Sequence, residues 1–311
     1  ARAVVFEEPG ELEIRDLEIE LPGPGEVLVD VEWTGISTGT EKLLYDGRMP
    51  AFPGMGYPLV PGYETVGRVA ACGDGVRVRE GERVFVMGAT CFGDIRGLFD
   101  GAASRLVVDE RKLVSVGAGL NEDAILLALA ATAHHALHDG NELALPDLIV
   151  GHGVLGRLLA RLTVALGVKP PVIWETNARR SEGGIGYEVV SPEQDERNDY
   201  RRILDASGDP AILDVLIQRL TKGGEIVLGG FYSNPLSFTF PPAFMREARL
   251  RIAAEWLPSD LVSVKSLIDS GALNLRELIS HRVPASRARE AYPVAFTDPE
   301  CLKMVLDWRR A

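Results

Sequence analysis

The sequence predicts an α/β protein of two domains, a small, mostly antiparallel β domain followed by a doubly wound parallel sheet. Three observations carry that expectation. From Ala1 to about Gly117 the chain breaks into short alternating segments cut by Gly and Pro. After Asn121 helical stretches alternate with apolar strand-like runs, which is the pattern of a βαβ series. A glycine-rich turn stands between one of those runs and a long helical stretch.

Taken in order, strands are expected over Arg2 to Phe6, Glu26 to Trp33, Glu64 to Ala71, Arg83 to Met87 and Arg105 to Val108, where apolar and polar residues alternate. A helical stretch ends near Leu137, the run Asp147 to Val150 reads as a buried strand, and a long helix covers Leu155 to Leu166. Further strands follow at Val172 to Trp174, Tyr187 to Val190, Arg202 to Asp205, Glu225 to Leu228 and Leu250 to Ala254. The segment between Glu175 and Tyr187 is short for a crossover helix and contains Gly183-Gly184, so that connection is expected to be trimmed. The C-terminal third returns to helix and loop. No repeat, low-complexity tract or flexible linker stands out, so the two domains are expected to pack closely.

Composition narrows the function. The 311 residues suffice for two domains of ordinary size. Against 45 acidic residues stand 33 Lys and Arg, a net charge of -12 with no basic concentration, which argues against nucleic acid. The longest strongly apolar run, Ile125 to Ala133, is about half of the roughly 20 residues that cross a bilayer. The N-terminus alternates like a strand and shows no cleavable apolar core. No transmembrane segment is expected, and the protein reads as soluble and cytoplasmic. Cys72, Cys91 and Cys301 are too far apart for a close-spaced structural zinc set and form no disulfide framework.

The strongest chemical signal is Gly151-His152-Gly153-Val154-Leu155-Gly156, directly after Leu148-Ile149-Val150 and directly before a helix. In that context the glycines are those of a Rossmann dinucleotide fingerprint. The first permits the tight turn, the second lets a pyrophosphate approach, and the third allows close helix–strand packing. The next strand ends in Glu175, nineteen residues after Gly156. An acid there accepts hydrogen bonds from the ribose hydroxyls and repels a 2'-phosphate, which favours NAD over NADP. Arg179 and Arg180 follow and can hold that phosphate, or form an ordinary solvated charge pair.

Pro61-Gly62-Tyr63-Glu64 with Val66-Gly67-Arg68-Val69, Gly81-Glu82-Arg83-Val84, Asp205-Ala206-Ser207-Gly208 and Gly223-Gly224-Glu225-Ile226-Val227-Leu228-Gly229-Gly230 resemble the marks of the medium-chain dehydrogenase/reductase superfamily. The resemblance covers essentially the whole chain. It implies a GroES-like catalytic domain over 1–120, a Rossmann NAD-binding domain over 121–257 and a return of residues 258–311 to the first domain, with the active site in the cleft between domains. It implies cofactor contacts at Thr132, Ala206, Ser207, Gly229, Gly230 and Phe231, beside the fingerprint and Glu175. It also implies a homodimer, formed where the edge strand Leu250 to Ala254 pairs across a two-fold axis.

Zinc-dependent members of that superfamily hold the metal through a Cys, a His followed by Glu, and a further ligand ahead of the Rossmann domain. Here Ser37 and Tyr63 stand at the Cys and His positions and Ala128 at the last, leaving Glu64 alone of the pattern. A lone carboxylate cannot build a three-ligand site, so no metal is expected. Ser37, Thr38, Thr40 and Tyr63 then become the candidates for polarising the substrate oxygen. Lys42 stands where many relatives carry a proton-relay His. The plain alternative is that Tyr63 fills the vacated space and Lys42 is solvated.

Within the superfamily, Gly35 to Tyr45, Gly47 to Tyr63, Leu129 to Leu137 and Ile149 to Leu166 resemble the dehydrogenases that oxidise the 3-(1-hydroxyethyl) side chain of a bacteriochlorin to 3-acetyl. That resemblance implies a hydrophobic tetrapyrrole substrate. Met49, Phe52, Met55 and Tyr57 suit a broad apolar ligand, although a proline-stiffened loop buried under the β domain has the same composition. His134 and His135 are further substrate-side candidates, or core or interface histidines. Two other readings share these residues: a zinc-free quinone or enoyl reductase, against which Glu175 argues, and a catalytically inactive NAD-binding sensor.

Overall fold

A computed structural model describes every residue except 118, 168, 233, 310 and 311. The chain divides into two compact units, residues 1–128 with 279–311, and residues 129–278.

In the first unit the long strand Glu26–Ile36 is central. Its residues alternate between buried and half-buried as far as Trp33, then stay buried, because the sheet is covered on both faces at that end. It pairs with Thr65–Cys72, Arg105–Asp109 and Met304–Asp307, all antiparallel. The sheet continues through Arg83–Val86 and Leu113–Ser115 on one side and His281–Pro284 on the other. A smaller sheet holds the hairpin Arg2–Glu8 and Glu11–Asp16 with Leu59–Pro61 and Arg96–Leu98. Val4, Phe6, Val29, Leu106 and Tyr292 are among the buried residues of its core.

The C-terminal return contains two strands where helix and loop are expected. His281–Pro284 and Met304–Asp307 are four residues each and pair in parallel, too short to show a period of two in sequence. Their register matters for function. Met304 lies opposite Ile36, which brings Lys303 beside the end of the central strand.

The second unit is a six-stranded all-parallel sheet. Its spatial order is Glu188–Val190, Val172–Trp174, Leu148–Val150, Tyr200–Asp205, Leu220–Leu228, Arg249–Ile252, which is the doubly wound order. The helix Val154–Leu166 follows the first strand, as expected within a residue. Between Val172–Trp174 and Glu188–Val190 there is a single short turn at Ala178–Arg180 and no crossover helix. Arg157, buried on the helix, fastens that loop by donating to the carbonyls of His152, Arg180, Glu182 and Gly183. One guanidinium thus satisfies main-chain acceptors that a helix would have paired internally.

The helix Pro258–Asp269 lies within the second unit, so the return to the first begins at residue 279 and not at 258. Asp260 explains this. Its carboxylate accepts from the Leu257 amide and bonds to His134 and His135 on the helix Leu127–Ala136. Among the described residues no helix is long and apolar enough to cross a membrane.

Candidate active site

The glycine turn has the geometry a dinucleotide needs. Gly151 sits at φ 95°, in the left-handed region where a side chain would be strained. A Cβ on Gly156 would lie 1.8 Å from the Gly151 carbonyl oxygen, so only glycine lets the helix start this close to the strand. Gly153 by contrast faces open space, its nearest neighbour being Arg180 Nη1 at 3.8 Å from the place a Cβ would occupy. Close packing at two glycines and room at the third is the arrangement that admits a pyrophosphate.

Glu175 closes the turn from the second strand. Its Oε2 accepts from the His152 amide at 2.9 Å and its Oε1 from the Asn177 amide at 2.8 Å, and each oxygen keeps a lone pair for a ligand hydroxyl. The His152 side chain points away from this work. It is buried, its Nδ1–H donating to the Arg180 carbonyl (2.6 Å) and its Nε2 accepting from Tyr187 Oη (3.0 Å). Burial, with Arg157 nearby, pushes its pKa down to about 4, so it is a neutral brace. His152 therefore serves the turn through its backbone. Val154 is buried and Leu155 half-buried on the first turn of the helix.

The other expected cofactor residues gather at the same ends of the strands. Gly151 approaches Ser207, whose Cα and amide nitrogen lie 3.2 Å from where a Gly151 Cβ would be. Asp205, buried, accepts from the Ser207 amide and from Tyr232 Oη, while its carbonyl accepts from the Gly229 and Gly230 amides. Ala206, Ser207, Gly229 and Gly230 are thereby held beside the fingerprint, and Phe231 projects half-exposed next to them. Thr132 is half-buried on the helix Leu127–Ala136.

In the first unit a buried polar cluster forms where the central strand ends. Ser37 Oγ and Tyr63 Oη are 2.6 Å apart, and Tyr63 Oη lies 3.5 Å from Thr40 Oγ1. Burial and the neighbouring Glu64 raise the Tyr63 pKa far above the usual phenol value, so it stays a hydroxyl at any working pH. Glu64 is fully buried, with Lys303 Nζ 2.7 Å and 2.5 Å from its two oxygens, and Lys303 also donates to the Ile36 carbonyl. A Cβ on Gly35 would fall 2.1 Å from Glu64 Oε2, so glycine is required for the carboxylate to fit.

Glu41, on the helix Thr40–Tyr45, is equally buried. Its Oε1 accepts from the Ser37 amide at 3.3 Å, and its Oε2 has no hydrogen-bond partner among the described residues. Desolvation first, and the charge of Glu64 second, push its pKa up to about 8.

Not every expected residue joins this cluster. Thr38 is exposed. Lys42 Nζ donates to the Phe296 carbonyl at 3.1 Å, and the ammonium at the Glu64 carboxylate is that of Lys303. Met49, Met55 and Tyr57 pack against the core of the first unit, leaving Phe52 as the outward member of the four, so the loop is chiefly a packed connection. His134 and His135 are each bonded to Asp260, at 2.7 and 3.0 Å. His134, His138 and Asp260 place ligand atoms within 4.8 Å of one another, but the Asp260 oxygens are already engaged by both imidazoles and the Leu257 amide.

Sequence reasoning missed Lys303, Glu41, Asp260 and Arg157. Lys303 and Glu64 are 239 residues apart, and no local pattern signals such a pair.

The matched relatives define the class and then the family. Residues 23–118 match the alcohol dehydrogenase GroES-like domain. A structure described as a short chain alcohol dehydrogenase from Escherichia coli CFT073, solved with NADH, superposes at a TM-score of 0.84 over 99% of both chains with 22% identity, and together with the GroES-like match this gives the chain the fold of a GroES-like domain joined to a Rossmann domain. The chain is 57% identical over 312 residues, covering 99% of itself and 98% of the relative, to the 2-desacetyl-2-hydroxyethyl bacteriochlorophyllide A dehydrogenase of Cereibacter sphaeroides. It is 59% identical over 291 residues, 93% of itself and 92% of the relative, to the enzyme of that name from Rhodobacter capsulatus. The chain belongs to this bacteriochlorophyllide dehydrogenase family and is an oxidoreductase.

Proposed function

We propose that the protein oxidises the 3-(1-hydroxyethyl) group of a bacteriochlorophyllide precursor to 3-acetyl in bacteriochlorophyll a biosynthesis, with NAD as the hydride acceptor and without catalytic zinc. The observation that carries the zinc-free part is the Ser37–Tyr63 hydroxyl pair, which stands where zinc-dependent relatives carry thiolate and imidazole. The donor set does not fit zinc: two neutral hydroxyls remain, and Glu64 is neutralised by Lys303. In its place the hydroxyl pair holds the alcohol oxygen and donates to the carbonyl oxygen as it forms.

The glycine turn, Glu175 and the Ser207 and Gly229–Gly230 loops would hold the cofactor, which when bound supplies the ring that takes the hydride. Glu175 supports NAD, because a carboxylate anchored by two amides cannot move aside for a 2'-phosphate. Arg180, facing the Gly153 turn, fits a pyrophosphate partner without invoking NADP. The protein is further proposed to form a homodimer through the outer edge of Arg249–Ile252, where Leu250 and Ile252 are 43% and 76% exposed. A monomer by light scattering at micromolar concentration contradicts that.

The test of function is NADH formation with hydroxyethyl bacteriochlorins and chlorins beside simple alcohols and quinones. Turnover confined to the hydroxyethyl tetrapyrroles is expected. Preferential reduction of quinones by the reduced cofactor would replace this reading with that of a reductase.

A further inference from the structure

The Ser37–Tyr63 hydroxyl pair has an apolar neighbour that reaches solvent. The Phe99 ring meets the Tyr63 ring edge to face, with centroids 5.8 Å apart and planes at 88°. Phe99 is nevertheless 47% exposed. Of the exposed large apolar residues described in the first unit, Leu21, Phe52, Phe99 and Val294, it is Phe99 that lies in ring contact with Tyr63.

The backbone at Phe99 is held on both sides. Leu98, buried, ends the strand Arg96–Leu98, which pairs with Leu59–Pro61. The Phe99 carbonyl accepts from the Ala89 amide at 2.8 Å, and the Asp100 amide donates to the Val60 carbonyl at 3.2 Å. Asp100 takes a left-handed φ of 58°, which its short polar side chain tolerates better than most. Its carboxyl group is turned fully inward, where Oδ2 accepts from the Cys91 amide at 2.7 Å. Two glycines make room for this arrangement. A Cβ on Gly88 would fall 2.7 Å from Phe99 Cβ, and one on Gly97 would fall 2.5 Å from Asp100 Oδ1. A left-handed residue, a buried carboxyl group and two close approaches thus fix a phenyl ring that stays half in water.

We propose that Phe99 is a specificity-determining residue, packing against the tetrapyrrole macrocycle while Ser37 and Tyr63 take the hydroxyethyl oxygen. This rests on the hydroxyethyl-bacteriochlorin reading above. In that substrate the carbinol carbon alone separates the oxygen from the macrocycle. An oxygen placed at the hydroxyl pair therefore brings the conjugated ring against whatever borders the pair. A flat apolar ring meeting a phenyl ring, offset-stacked or edge to face, removes water from both. A small alcohol reaches the hydroxyls without covering Phe99, so the residue selects the macrocycle by differential binding.

The experiment separates the ring from the oxygen. A 3-vinyl bacteriochlorin keeps the macrocycle and lacks the hydroxyl, and its binding to the full-length protein with NAD present is followed by fluorescence titration. Phe99→Ala should weaken it about tenfold, and Phe99→Leu, apolar but not flat, about threefold. Phe99→Tyr should restore wild-type affinity, and Tyr63→Phe should leave it unchanged. In turnover with the 3-(1-hydroxyethyl) compound, Phe99→Ala should raise KM about tenfold and leave kcat within about twofold of wild type.

Wild-type affinity for the vinyl compound in Phe99→Ala overturns the proposal. A fall in kcat with KM unmoved also overturns it, because the ring would then only steady Tyr63. If Phe99→Ala does not fold, Phe99→Leu decides by the same two readouts. Wild-type protein that binds no tetrapyrrole and oxidises none overturns instead the substrate reading on which the proposal rests.

Discussion

The nucleotide turn of the second unit and the polar cluster of the first differ in how they are built. The turn is local: Gly151 to Gly156 and Glu175 lie on one strand–turn–helix unit and the strand beside it, with Gly151 and Gly156 required by the backbone and Gly153 leaving open space. The cluster is assembled from the end of one strand, a six-residue helix, the loop before another strand and a residue from the C-terminal return. The first kind of site is held by chain geometry. The second is held by charge, and depends on Lys303 neutralising Glu64 in a region without solvent.

The largest expected effect therefore lies at that pair. Lys303→Met leaves a buried carboxylate unpaired and should cost about 3–5 kcal/mol in chemical denaturation, most of it regained when Glu64→Gln is added. Equal instability of the single and double variants would mean that the lysine contributes packing alone and that the cluster is not organised by charge.

Tyr63→Phe comes next. Removing one well-placed donor should lower kcat by about a hundredfold, roughly 3 kcal/mol, with NAD affinity unchanged. Ser37→Ala should follow in the same direction more mildly. If chemistry, shown rate-limiting by a deuterium isotope effect, is untouched by Tyr63→Phe, the oxygen is held elsewhere.

The smallest of these effects is expected in the nucleotide site, because local geometry survives the loss of one side chain. Glu175→Ala should weaken NAD by about tenfold, through two lost ribose hydrogen bonds, and raise the relative use of NADP. An unchanged preference would place Arg179 or Arg180 in control.

The same contrast explains what was legible in the sequence. The doubly wound sheet, the helix from Val154 and the trimmed connection before Glu188 follow from apolar runs and glycine spacing, which are local signals. The strands His281–Pro284 and Met304–Asp307 are too short to carry a period, and their pairing depends on residues far away in the chain. Ser37 and Tyr63 were legible because a known pattern marked their positions. Lys303, Glu41 and Asp260 were not: an isolated Lys, Glu or Asp in sequence reads as a solvated charge until its distant partners are known. Lys42 was marked by standing where many relatives carry a proton-relay His, but a family position does not reveal that its ammonium donates to the Phe296 carbonyl or that the lysine buried beside Glu64 is Lys303.

Hydride transfer to NAD with the alcohol oxygen held by hydroxyls and no metal is tested most directly by turnover of metal-depleted protein. After exhaustive chelation and metal analysis, the protein is assayed with NAD and the hydroxyethyl bacteriochlorophyllide, following NADH and the 3-acetyl product. Undiminished formation of both in equal amounts, with less than stoichiometric zinc, is the predicted result. Activity that disappears on chelation and returns with one equivalent of zinc would contradict it.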